Sequence, residues 1–144
     1  MKQARALTIT NASLVTSAGL AQGALRCADG VIVALGPDVA AEAGDEVVNA
    51  RGKLLAPGLV DLGVFAVDKP AFHFGGITRA ALMPDQSPPL DLPSRVGFIA
   101  KSGKPDLWVH PLAAATRGLE GRELAEIALM QDAGARGIAT GRRW

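Results

Sequence analysis

Leu55-Ala56-Pro57-Gly58-Leu59-Val60-Asp61-Leu62-Gly63-Val64-Phe65 decides how this chain folds. A proline–glycine break leads into an apolar run, Leu59 to Phe65, that carries one aspartate. The run shows no polar–apolar alternation, which is the pattern of a parallel strand covered on both faces. Along a strand, residues i and i+2 project to the same side. Gly63 and Phe65 therefore form a pair aimed one way, at the spacing of two ligands to one metal ion.

Upstream of the break, residues 6 to 60 read as β structure. Leu7 to Thr16 is an extended run with a turn or bulge at Asn11, and a short strand follows at Gly23 to Arg26. Asp29-Gly30 is a strong turn signal before Val31-Ile32-Val33-Ala34-Leu35, which reads as a buried strand ended by Gly36-Pro37. Val47 to Ala50 and Lys53 to Leu55 complete a small antiparallel assembly, a partial sandwich, with Val39 to Glu46 as a surface connector.

Downstream, Ile77 to Met83, Asp106 to Leu112 and Arg136 to Thr140 join Leu59 to Phe65 as strands. Ser94 to Lys101 reads as a helix opened by Pro93, and Leu119 to Asp132 as a longer amphipathic helix closed by Gly134. Strands alternating with helices give an α/β order. The fold class expected is a small N-terminal β-sandwich part, residues 1–56, followed by the first strands of a TIM-like (β/α)8 barrel, residues 57–144. A closed barrel takes about 250 residues, so this one is incomplete at its C-terminus and ends after the fourth strand. Only Ala66 to Gly76 separates the first two barrel strands, which predicts an irregular loop over Asp68 to Phe74 in place of a crossover helix.

Composition narrows the function classes. Apolar residues make up 49% of 144 and charged residues 20%, a globular balance. The formal charge is +1, from 15 basic and 14 acidic residues. No basic stripe forms, the Arg142-Arg143 pair being too short, so nucleic acid is not an expected partner. No apolar run reaches the length of a membrane span, and Lys2 and Arg5 are followed by no signal-peptide core, which makes a cytoplasmic location the default. The single cysteine, Cys27, permits no internal disulfide. Trp108 and Met130 read as core; Phe72 and Phe74 read as core packing or an interface.

Several motifs, in order, carry a family resemblance. Ala50-Arg51-Gly52-Lys53-Leu54-Leu55-Ala56-Pro57-Gly58-Leu59-Val60-Asp61-Leu62 is similar to the passage from β-sandwich to first barrel strand in the dihydroorotase branch of the cyclic amidohydrolases. Gly75-Gly76-Ile77-Thr78 and Met83-Pro84-Asp85-Gln86-Ser87-Pro88-Pro89-Leu90-Asp91 resemble that branch's second strand and its Met-Pro-Asn-Thr loop. Thr116 to Glu126 resembles a later glycine-rich turn and helix, and Ala133-Gly134-Ala135 the approach to the next strand. The resemblance implies a chain that is the opening part of a longer protein, a divalent-metal site, and hydrolysis of a ring amide by a metal-activated water.

The matching positions depart from that chemistry together. The family's His-x-His ligands correspond to Gly63 and Phe65, and neither glycine nor a phenyl ring offers a donor. The family's substrate-carboxylate arginine corresponds to Val67, and the asparagine of its loop to Asp85, which repels an anionic substrate when ionised. Its later acidic metal-side position falls near Thr140. No catalytic residue and no metal ligand is expected. Asp61 reads as a backbone cap, with residual metal binding as the other reading. His110, at the C-terminal end of its strand where barrel sites lie, is the other candidate for a residual site, while His73 reads as structural or surface.

Two functions from different classes follow. One is a non-catalytic subunit without cofactor, a scaffold in pyrimidine biosynthesis, as the resemblance implies, with aspartate carbamoyltransferase or a second copy as partner. The alternative is a cyclic amidohydrolase using a divalent metal such as zinc. A fragment without independent function is the remaining reading.

Overall fold

The computed structural model describes residues 6–142; Lys2, Arg5, Arg143 and Trp144 lie outside the described residues. Two compact units divide the chain, Met1–Pro57 and Gly58–Trp144.

The first unit is one five-stranded sheet built from β1 (Leu7–Thr16), β2 (Gly19–Ala28), β3 (Val31–Gly36), β4 (Glu46–Asn49) and β5 (Leu54–Leu55). β1 pairs antiparallel with β2, and β2 with β3, but β1 also pairs parallel with β4 and β5. The sheet is thus mixed, where an antiparallel assembly was expected. The connector after β3 carries the chain back so that β4 runs alongside β1 in the same direction. Asn11 sits at the irregularity in β1 with φ 52°, and Asp29-Gly30 turns with φ 50° and 77°, the left-handed pair of a tight hairpin turn. Val31, Ile32, Val33 and Leu35, expected to be buried, are exposed. The unit's polar anchor is Asp45, whose carboxylate accepts from Arg26 Nε at 2.8 Å and Thr8 Oγ1 at 2.6 Å. Arg26, followed by Thr8 and the Glu42 backbone N–H, holds the Asp45 carboxyl well below the usual carboxylate range.

The second unit is a parallel sheet in the order β6 (Leu59–Val64), β7 (Ile77–Leu82), β8 (Trp108–Ala114), β9 (Gly137–Ala139). It is an open part of a (β/α)8-like barrel. Three helices, α1 (Lys69–Phe74), α2 (Pro93–Ser102) and α3 (Ile127–Asp132), follow strands in the α/β manner. Strand alternation divides the sheet. Ala80, Leu82, Val109 and Ala113 are buried and join Val96 of α2 and Met130 of α3 in one core. A Leu or Met buried in this way contributes about 1.5–3 kcal/mol. On the other face Val60 and Trp108, paired in register through Arg79, are exposed. The apolar run of β6 is therefore covered on one face only, and Trp108 is not core.

Two helix expectations are corrected. Asp68 to Phe74 is no irregular loop: Asp68 caps α1 by accepting from Ala71 N at 3.1 Å, with Pro70 in the first turn. Phe72 packs against the core, while Phe74 is fully exposed. The longer helix expected over Leu119 to Asp132 is confined to its last part, α3. Gly118, Leu119 and Gly121 have φ of 61°, 58° and 72°, left-handed values that a right-handed helix excludes. The segment turns back instead, Arg117 N donating to Glu123 O and Ala125 N to Ala115 O.

Candidate functional site

The C-terminal ends of parallel strands are where α/β folds gather reactive groups. Here Met83 N donates to Val64 O at 2.8 Å, tying the end of β7 to the end of β6. Val64 is buried against the core and is flanked by exposed Gly63 and Phe65, so the latter pair shares the opposite side, as the i, i+2 reading required. Gln86 fixes the loop after β7 by donating through Nε2 to Phe65 O at 3.1 Å and to Met83 O at 3.0 Å.

Asp85 follows fully buried Pro84 and is itself largely buried. Its Oδ1 accepts from the backbone N of Arg142 at 2.8 Å and lies 3.7 Å from Arg142 Nε. Gly141 makes this approach possible: it has φ 76°, and a Cβ there would stand 3.0 Å from Asp85 Oδ1. Asp85 Oδ2 is buried and has no hydrogen-bond partner among the described residues. The Arg142 guanidinium lies over the Phe65 ring, 4.1 Å from its centroid. Beside this cluster is a cleft of about 730 Å³ lined by Asp85, Gln86, Ser87, Pro89, Gly118, Leu119 and Arg142.

The structure thus brings Phe65 and Asp85, two of the positions singled out from sequence, to one residue, Arg142. Thr140 itself is exposed just past β9. Val67 packs against the core. Asp61 Oδ1 accepts from Gly63 N at 3.1 Å, the backbone role expected of it. His110 lies third in β8, in the N-terminal half of the strand and not at its C-terminal end. Register pairs Asp61 with Ala80 and Ala80 with Val109, whereas His110 pairs with Ala81, so Asp61 and His110 belong to opposite faces. Burial, then Arg79, Arg136 and Lys104, lower the His110 pKa below the ordinary imidazole value. His73 Nε2 lies 3.2 Å from Asp106 O, a structural contact.

Arg142 and Gln86 were not foreseen as site residues. In the sequence Arg142 reads only as one half of a short basic pair, and no local motif ties it to Asp85.

The donor set at the mouth does not fit the divalent ion of the amidohydrolase fold. Gly63 has no side-chain donor, Phe65 presents a ring already faced by a cation, and Asp61 is turned to the backbone. Among the described residues, no group of three or more His, Cys, Asp or Glu converges as a metal site. No helix among them is long and apolar enough to cross a membrane.

Comparison with known proteins agrees with the fold. No protein-family model matches the chain. A dihydroorotase of Pelotomaculum thermopropionicum is 40% identical, over 74% of this chain and 28% of its own length. A dihydroorotase of Acetivibrio thermocellus is 35% identical, over 77% of this chain and 29% of its own. Among solved structures, the L-hydantoinase (dihydropyrimidinase) of Arthrobacter aurescens superposes with a TM-score of 0.74 at 25% identity, covering 92% of this chain and 32% of that one. An amidohydrolase at 18% identity shares the fold with a TM-score of 0.51. The chain spans under a third of the length of these curated relatives.

Proposed function

Because this chain is homologous to the dihydroorotases of the amidohydrolase superfamily, we propose that it is a non-catalytic member, a structural subunit linked to pyrimidine biosynthesis. One observation carries the reading: Phe65 stands at the strand-end position of a metal ligand and is faced there by the Arg142 guanidinium. A ring-amide hydrolase must generate a nucleophilic water and polarise the amide carbonyl. The side chains at this mouth supply no ion-binding set for either task, and Arg142 adds a positive charge where a cation would have to sit. What the unit keeps is a folded parallel sheet with its core in place. Such a surface suits assembly, with aspartate carbamoyltransferase as the proposed partner.

Three measurements test this. The purified chain is assayed for bound metal by elemental analysis, for turnover of dihydroorotate, hydantoin and dihydropyrimidine, and for co-elution with aspartate carbamoyltransferase. The expected result is no stoichiometric metal, no turnover above buffer and a shared elution peak. Stoichiometric divalent metal together with ring opening overturns the non-catalytic reading; separate elution overturns the choice of partner.

A further inference from the structure

We draw no further inference here: the strongest candidate, the cleft at the mouth of the parallel sheet beside Asp85, whose Oδ2 is buried without a hydrogen-bond partner among the described residues, belongs to the site already described, and nothing in the structure shows what fills it.

Discussion

Restoring imidazoles at the two strand-end positions puts the geometry of the mouth to the test. In the double variant Gly63→His with Phe65→His, the first change meets open space, since a Cβ at Gly63 has nothing within 4 Å. Replacing a strand glycine gains about 0.5–1 kcal/mol of backbone entropy. The second change removes a ring that is 40% exposed. With full burial of a phenylalanine worth about 1.5–3 kcal/mol, the partial loss is about 1 kcal/mol. Losing the stack with Arg142 adds about 0.5–1 kcal/mol. The opposing effects leave the variant within about 1 kcal/mol of the parent and folded. Urea denaturation with and without zinc then reads the metal. Zinc at about 100 times its dissociation constant stabilises a one-site protein by about 2.7 kcal/mol. The double variant is expected to gain stability as zinc is raised, with the parent and each single variant gaining far less. If the parent gains as much, its own side chains bind the ion and the non-catalytic reading falls. If the folded double variant gains nothing, residues 63 and 65 do not converge, and the face assignment around Val64 is wrong.

Two further outcomes follow from the titrating groups. The Asp45 carboxyl is held low by Arg26 first, then by Thr8 and the Glu42 N–H, so its contribution is present above the unfolded-state value near pH 4 and is lost as pH falls further. Asp45→Asn should lower the stability of the first unit at neutral pH and flatten its acid limb, read by urea midpoints across pH; an unchanged acid limb refutes the anchor. The His110 pKa is depressed by burial and by Arg79, Arg136 and Lys104, so the unfolded state takes up the proton first and stability falls as pH drops through about 6.5. His110→Gln should remove that slope, and an NMR titration should place the native His110 midpoint below that of a free imidazole; a midpoint above it refutes the account.

Local pattern carried much of this fold. The apolar run after Pro57-Gly58, the stop at Pro84 and Pro93 at the start of α2 each work through a few neighbouring residues, and each appears where the pattern puts it. Burial was read less well. A continuous apolar strand implies cover on two faces, yet β6 has a helix-side core and an open second face. The helix expected from Leu119 rests on the shared face of Leu124, Ile127, Ala128 and Gln131, and only its part from Ile127 forms. In the structure Arg117 draws in Glu123 and Glu126 at 3.4 and 3.9 Å across a turn that Gly118 and Gly121 permit. The link between Asp85 and Arg142 joins residues 57 apart in sequence, and no local pattern reports such a pair.

The same alternation separates what holds the fold from what faces the mouth. Val64 holds the end of β6 to the core, while Gly63 and Phe65 project to the side that contributes no core contacts. Substitution on that side leaves Leu82, Val96, Val109 and Met130 untouched. Stability and metal binding therefore reside on opposite faces of one strand, and either can change while the other persists. The Asp61 carboxylate, at the start of the register shift in β6, accepts from the Gly63 N–H and supports the backbone there. Asp85, on the neighbouring strand's loop, holds the backbone of Arg142 through Oδ1. Asp61 and Asp85 thus each hold a backbone N–H at this mouth, that of Gly63 and that of Arg142.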